Sequence, residues 1–202
     1  MTGRDLSVIK VGGSLLADGP RLRAMLADIA GARHAPCILV PGGGPFADAV
    51  RTAQAALALE DVFAHRLALD AMGRMAEVFC AVEPGLVRCA DLAALSRLAG
   101  AGRVPVWDPV ALRAGHSAIA ETWDVTSDSL ALWLATEVGA ARCILVKSVP
   151  SAHLSPRSAD WSALAARGIV DAAFPAFAAA YPGEIVIRGP RGAEPSAGRD
   201  AA

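Results

Sequence analysis

The sequence predicts an α/β fold, a three-layer αβα sandwich with a largely parallel central sheet. Short apolar segments without polar alternation, at residues 6–11, 37–40 and 143–146, are typical of strands buried on both faces. Segments with helical periodicity alternate with these strands, as they do in α/β proteins. We expect residues 1–188 to form a single domain and residues 189–202, which are rich in Gly, Pro, Ala and charge, to be disordered.

The remaining elements follow in alternation along the chain. Further strands are predicted at residues 86–87, 104–107 and 184–188. Helices are predicted over about residues 20–32, 45–53, 62–82, 92–98, 129–137 and 161–167, and from about residue 174. Thr126 or Ser127 can cap the helix that follows them. Arg66, Asp70 and Arg74, at four-residue spacing, predict a stabilising ladder along one face of their helix.

Composition excludes several classes of function. A formal net charge of −1 gives no electrostatic reason to expect a nucleic-acid partner. The most apolar late segment, residues 172–183, is interrupted by two prolines and is far too short to span a membrane. The four cysteines follow no zinc spacing, and the histidines offer no i, i+4 ligand pair. We therefore expect a cytoplasmic protein with no membrane partner and no resident metal site.

Only two of the 19 Lys and Arg side chains are lysines, and each stands at the end of an apolar strand. Lys10 precedes a Val-Gly-Gly-Ser turn, and Lys147 directly follows residues 143–146. Lysine is a compact point charge, whereas arginine is a planar fork, so a lysine in an arginine-rich chain suggests a position that arginine cannot serve. The adjacent glycines favour a functional role for Lys10. For Lys147, a functional and an incidental role are equally open.

Two glycine turns form the strongest local signal. Gly12 and Gly13 follow the first predicted strand, and Gly42, Gly43 and Gly44 follow the second. Glycine lets backbone N–H groups approach an anion closely, and such groups beside a helix N-terminus bind phosphate. Two such turns suggest two phosphate groups held face to face. The Walker A pattern is absent, and a G-x-G-x-x-A match in the second turn is a weak dinucleotide signal, since that motif normally opens on the first strand.

A third cluster of polar residues lies at 124–129. Asp124 and Asp128 are candidate carboxylates, because a kinase must orient its lysines or its magnesium ion and carboxylates do both. Helix capping explains Thr126 and Ser129 equally well.

Together, IKVGGS at 9–14, VPGGG at 40–44 and D-x-x-S-D at 124–128 resemble the amino-acid kinase family, in the family's order and over nearly the whole chain. Within that family, TSDSL at 126–130 and VDxxFP at 170–175 resemble the phosphate kinases of methanofuran biosynthesis. Those enzymes convert [5-(aminomethyl)furan-3-yl]methyl phosphate to its diphosphate.

The resemblance implies an ATP- and Mg²⁺-dependent kinase whose acceptor is a phosphate monoester. Lys10 would contact the transferring phosphoryl group, Asp128 would orient the lysine, and Lys147 is a candidate second catalytic lysine. Nucleotide phosphates would be bound by Gly12, Gly13, Ser14 and Ser148. The acceptor would be bound by Gly42, Gly43, Gly44, His65, Asp124, Ser127 and Asp171. For a substrate amine, the candidate carboxylates are Asp70, Asp124 and Asp171.

The chain departs from the family after Lys147. Relatives usually carry an Asp- and Gly-containing turn there, whereas this chain reads Ser-Val-Pro-Ser at 148–151. The sequence therefore leaves two possibilities, a chain that binds a nucleotide and one that does not. The alternatives are a kinase for another phosphate acceptor, such as UMP or isopentenyl phosphate, and a non-catalytic anion-binding or storage protein on the same fold. The family commonly forms homodimers or larger rings, so we expect a homo-oligomer.

Overall fold

A computed structural model describes residues 6–31, 36–148 and 160–189. In this part of the chain, six strands form one sheet in the order β3-β4-β2-β1-β5-β6. The strands are β1 (Ser7–Val11), β2 (Cys37–Pro41), β3 (Leu86–Cys89), β4 (Val104–Trp107), β5 (Arg142–Val146) and β6 (Glu184–Arg188). Every pairing between them is parallel, so the expected parallel sheet is confirmed. Apart from Gly189, the tail expected to be disordered lies outside the described residues.

Seven α-helices occur within the described ranges. They are α1 (Gly19–Gly31), α2 (Gly44–Leu57), α3 (Asp61–Val82), α4 (Leu92–Gly100), α5 (Ser127–Glu137), α6 (Trp161–Ala166) and α7 (Phe174–Ala180). Two short 3₁₀ segments, Gly13–Ala17 and Pro109–Ala114, were not predicted. Segments of one or two turns are too short to establish a hydrophobic period, which is the signal that reveals longer helices.

Helices cover both faces of the sheet, which confirms the three-layer sandwich. Successive side chains of a strand point to opposite faces. On one face, Val8 and Cys143 pack in a core that includes α5 and α7. On the other face, Val11 and Leu39 pack in a core that includes α1 and α3. Lys10 is two residues from Val8, so it lies on the α5 face.

The predicted ladder on α3 is wrong, because Arg66 and Asp70 form their ion pairs with residues outside this helix. Arg66 forms a bidentate ion pair with Glu121, at 2.7 and 3.0 Å. Asp70 lies 3.3 Å from Arg113 in the Pro109–Ala114 segment. That segment packs against α3 and supplies a positive charge to Asp70. Separately, none of the described helices is both long enough and apolar enough to cross a membrane.

Candidate active site

Two lysines converge on one carboxylate at the carboxyl ends of neighbouring strands. Strands β1 and β5 pair in parallel with Lys10 opposite Leu145, which places Lys147 just beyond it on the same face. The Lys10 Nζ lies 2.9 Å from Asp128 Oδ1, and the Lys147 Nζ donates to Asp128 Oδ2 at 2.5 Å. Lys10 is 6% exposed and Asp128 is 5% exposed. The three side chains therefore form one buried ionic unit, with two positive charges on one negative charge.

Burial and charge act in opposite directions on this unit. Burial alone would raise the pKa of Asp128, but the two ammonium groups outweigh it and hold the pKa below its ordinary value. Burial lowers the pKa of Lys147, and the charge of Lys10 lowers it further, while Asp128 opposes both effects only in part. Asp128 is therefore ionised, and Lys147 releases its proton more readily than an ordinary lysine.

The first turn of α5, which carries Asp128, is held by Asp171. Thr126 is the N-cap residue of this helix, as expected, but its side chain makes no capping hydrogen bond. Asp171 instead accepts hydrogen bonds from Thr126 N at 2.9 Å, from Thr126 Oγ1 at 2.8 Å and from Ser129 N at 3.0 Å. The Ser129 hydroxyl donates to its other carboxylate oxygen. Burial raises the pKa of Asp171, and these hydrogen bonds offset that rise only in part.

The two glycine turns touch each other directly. A Cβ atom on Gly13 would lie 2.2 Å from the Gly44 nitrogen, and one on Gly42 would lie 2.6 Å from the Gly13 nitrogen. Gly44 also has a φ of +54°, a conformation that favours glycine. No side chain fits at this contact, so the sequence needs glycine on both turns. We call this the glycine contact, formed by Gly13, Gly42 and Gly44.

Several residues predicted to bind nucleotide phosphates lie together beside the glycine contact. The Ser14 hydroxyl donates to Ser148 Oγ at 3.2 Å, which links the first turn to the end of β5. A Cβ atom on Gly12 would lie 3.6 Å from Lys10 Nζ, so its missing side chain leaves an approach to that ammonium group. Ammonium, hydroxyl and amide donors fit the phosphates of a nucleotide.

The described residues are less suited to binding Mg²⁺ directly than to binding phosphate. The described residues contain no group of three His, Cys, Asp or Glu side chains placed to hold a metal ion. Both oxygens of Asp128 already face lysines. Mg²⁺ commonly retains water and binds through the phosphates of its substrate. The described residues are compatible with this mode of binding.

A cavity of about 550 Å³, within the range of small-molecule sites, adjoins the glycine contact, and Gly13 and Ser14 of the first turn also line it. Its walls include Gly43, Gly44, Arg51, His65, Trp123 and Ser127. The structure thus brings the second glycine turn, His65 and Ser127 together, three features that the sequence separates widely.

His65 presents an unpaired nitrogen in the wall of this cavity. The residue is 3% exposed, and its Nδ1 lies 3.0 Å from the Thr122 carbonyl oxygen. Because a carbonyl can only accept, Nδ1 carries the hydrogen, and Nε2 is left without a partner among the described residues. Burial lowers the pKa of His65, opposed in part by the Thr122 hydrogen bond, so the imidazole is neutral at neutral pH.

Arg51 lies across the ring of Trp123, a contact that the sequence analysis did not identify. Its guanidinium carbon is 4.0 Å from the ring centroid. Trp123 Nε1 donates to Gln54 Oε1 at 2.5 Å, and Gln54 Nε2 donates to Asp61 Oδ1 at 2.7 Å. The sequence feature that could have indicated a role for Arg51 is its position on α2, the helix that begins at the second glycine turn. Its aromatic partner, far along the chain, could not be inferred.

Comparison with known proteins places this geometry in a family. Residues 5–151 match the model of the amino acid kinase family. The chain belongs to this family. It is also 28% identical over 145 residues to a [5-(aminomethyl)furan-3-yl]methyl phosphate kinase from Methanocaldococcus jannaschii. That match covers 71% of this chain and 66% of the relative, so the chain spans just under two thirds of the relative's length.

Solved structures of amino acid kinases share the fold. A uridylate kinase from Archaeoglobus fulgidus superposes with a TM-score of 0.65 at 19% identity, covering 92% of this chain and 91% of that one. A UMP kinase from Ureaplasma parvum superposes with a TM-score of 0.69 at 13% identity, covering 92% and 90% of the two chains. The expected amino-acid-kinase-like architecture is thereby confirmed. At these identities the likeness concerns the fold alone.

The three carboxylates predicted to pair with a substrate amine do not line the cavity of this amino acid kinase. Of the described residues, Asp70, Asp124 and Asp171 are not among the cavity walls. Asp124 is exposed, and its carbonyl accepts a hydrogen bond from Ala173 N at 2.9 Å. The wall does contain Asp48, which lies 3.3 Å from Arg51.

Proposed function

We propose that the chain is an ATP-dependent kinase that phosphorylates a phosphate monoester to its diphosphate. The observation that carries the proposal is the ionic unit of Lys10, Asp128 and Lys147 beside the glycine contact. Two cations at the meeting point of two anion-binding turns are what transfer between two phosphate groups requires. Membership of the amino acid kinase family supports the same activity.

Positioning and charge neutralisation would supply most of the catalysis. ATP supplies the transferred phosphoryl group. Lys10 and Lys147 would face the negative charge that spreads over the phosphoryl oxygens in the transition state. Asp128 would hold both lysines in place without contacting substrate. The N–H groups of the two turns would hold the donor and acceptor phosphates on either side of the glycine contact.

The acceptor phosphate would bind in the cavity, near the second glycine turn. Arg51 carries a permanent charge in its wall, whereas His65 is neutral in the free protein. The Nε2 of a neutral His65 can only accept a hydrogen bond, so this residue must take up a proton to donate to a phosphate oxygen. We propose that acceptor binding and protonation of His65 are coupled.

For the identity of the acceptor, we propose [5-(aminomethyl)furan-3-yl]methyl phosphate, in the biosynthesis of a methanofuran-type cofactor. The likeness to the Methanocaldococcus jannaschii kinase supports this choice. UMP and isopentenyl phosphate stay as alternatives. Asp48 is a further candidate to pair with the substrate amine, beside the three carboxylates predicted from sequence. Of these four residues, only Asp48 lines the cavity.

One assay tests the proposal against these alternatives. The protein is incubated with ATP, Mg²⁺ and, separately, the aminomethylfuran phosphate, its analogue without the amine, UMP and isopentenyl phosphate. Products are followed by phosphorus NMR, and the Asp128→Asn variant controls for contaminating kinases. We expect ADP and a diphosphate from the aminomethylfuran phosphate, with slower turnover of the other acceptors. No turnover of any acceptor, with nucleotide or phosphate still bound tightly, would instead support the non-catalytic binding or storage function.

Two further expectations stay predictions. A homo-oligomer, implied by the family resemblance, is tested by light scattering coupled to size-exclusion chromatography. A cytoplasmic location is consistent with the four cysteines, all of which are free thiols. Fractionation of the source cells would test it.

A further inference from the structure

Asp171 caps a helix from a distant part of the chain. It lies between α6 and α7, 42 residues beyond Ser129. Helices α4 and α6 are capped by their own N-cap residues, since Asp91 accepts from Ala94 N at 2.6 Å and Asp160 accepts from Ala163 N at 3.0 Å. Helix α5 has a threonine in that position, yet the hydroxyl of Thr126 donates to Asp171. A carboxylate from outside the helix therefore caps α5.

The amides that Asp171 holds stand on either side of Asp128. Thr126 N lies two residues before it, and Ser129 N follows it directly. Asp128 must face Lys10 through one oxygen and Lys147 through the other. A small rotation of this turn would lengthen at least one of the two ion pairs, because Lys10 lies in β1 and Lys147 directly follows β5.

We propose that Asp171 is a positioning residue of the proposed kinase, which clamps the first turn of α5 so that Asp128 holds Lys10 and Lys147 at once. This inference rests on the proposed function, and it gives Asp171 a role different from pairing with a substrate amine. The same four hydrogen bonds that fix the turn leave Asp171 little capacity to bind a ligand.

Asp171 also contributes charge to the site. The charged groups that face Lys147 are Lys10 from β1, Asp128 from α5 and Asp171. Lys10 and burial lower the pKa of Lys147, whereas the two carboxylates raise it. The thiol of Cys143, on the same strand, is neutral because burial raises its pKa. Removing the charge of Asp171 would therefore lower the pKa of Lys147 further, an effect that loss of a helix cap alone does not produce.

The test compares Asp171→Asn with Asp91→Ala, which removes a helix cap next to the edge strand β3. For Asp171→Asn we expect kcat to fall about 10- to 100-fold, since a misplacement of about 1 Å can cost about 100-fold. KM values should change less than about threefold, because the residue touches neither substrate. The alkaline limb of the kcat–pH profile should move to lower pH. Asp91→Ala should lower the thermal stability and keep both kcat and the limb.

A second readout does not depend on catalysis. The chain has only two lysines, so protein labelled with ¹³C-lysine gives two side-chain signals, which Lys10→Arg and Lys147→Arg assign. In Asp171→Asn the Lys147 signal should titrate at lower pH than in the wild type. If the wild type turns over no acceptor, the proposed function fails, and this titration still tests the position and charge of Asp171.

Unchanged kcat together with an unchanged Lys147 titration in Asp171→Asn would overturn the inference. An equal loss of kcat in Asp91→Ala would overturn it as well, because the effect would then be one of stability. If Asp171→Asn does not fold, Ser129→Ala removes one donor to Asp171 and keeps its charge. That variant should lower kcat several-fold without moving the alkaline limb, and wild-type kcat in it would contradict the clamp.

Discussion

Two groups of polar residues beside the glycine contact differ in how they are satisfied: the donor side, formed by Lys10, Asp128 and Lys147, and the cavity side, formed by Arg51 and His65. On the donor side, Lys10 and Lys147 are paired with Asp128. On the cavity side, His65 Nε2 has no partner in the described part of the chain, and the side chain of Arg51 is half exposed. The donor side thus has its partners within the protein, whereas the cavity side has polar groups that a ligand can satisfy. Substitutions on the first side should impair turnover, and substitutions on the second side should impair binding of the acceptor.

The largest effect is expected from Lys10→Met. It removes a cation from the transfer site and leaves buried Asp128 with one partner. We expect kcat to fall by about 100- to 1,000-fold, the usual cost of removing one electrostatic stabiliser, with little change in KM for the acceptor. Steady-state kinetics measure both quantities. A variant within about threefold of wild-type kcat would show that the donor side does not depend on this lysine.

Gly13→Ala should disrupt both sides, because it forces the two turns apart. The new Cβ atom would meet the Gly44 backbone at 2.2 Å, and overpacking of this kind typically costs about 1–3 kcal/mol. We expect a lower melting temperature, a lower kcat and a higher acceptor KM. The matched control is Gly19→Ala, whose Cβ atom meets nothing within 4 Å. Equal stability of the two variants would mean that the turns do not touch.

His65 should make acceptor binding depend on pH. Because burial lowers the pKa of His65, the protonated fraction grows only as the pH falls towards that pKa. A donor to phosphate is then available, so the acceptor KM should fall with falling pH. In His65→Gln we expect KM to rise about tenfold, the value of a charged hydrogen bond, and this pH dependence to disappear. The exposed His116 supplies the control, His116→Gln, and any titration of the acceptor itself cancels in the comparison with wild type. Persistence of the pH dependence in His65→Gln would exclude His65 as its source.

The donor side was largely predictable from sequence, for a physical reason. Strand residues alternate between faces, so Lys10 and Lys147 at the ends of two buried strands could be expected near each other once β1 and β5 pair. Asp128, in the first turn of the helix preceding β5, follows from the family motif. Every strand and helix predicted from periodicity is present, with small differences at the ends.

Side-chain pairing across the chain was not predictable. Arg51 packs on Trp123, Arg66 pairs with Glu121, and Asp171 holds α5 from 42 residues away. Hydrophobic periodicity gives the face on which a side chain lies, but it does not identify which distant loop packs over that face. The sequence therefore suggested a substrate-amine role for Asp171, whereas its hydrogen bonds lie within the protein.

The smallest effect is expected from Arg51→Gln. A cation–π contact at a half-exposed site is worth about 0.5–1 kcal/mol, so we expect the acceptor KM to rise about two- to fivefold at constant kcat. Arg23→Gln, on the exposed face of α1, is the matched control for loss of one positive charge. A fall in kcat rather than a rise in KM would place Arg51 on the donor side of the comparison.

Turnover by Lys147→Met tests most directly whether the two lysines act as one unit on Asp128. Wild type, Lys10→Met, Lys147→Met and the double variant are compared at saturating ATP and acceptor. If the lysines act together, Lys147→Met loses at least about 100-fold in kcat, and the double variant loses little more than either single variant. Near-wild-type turnover of Lys147→Met would contradict the unit and leave Lys10 as the only catalytic lysine.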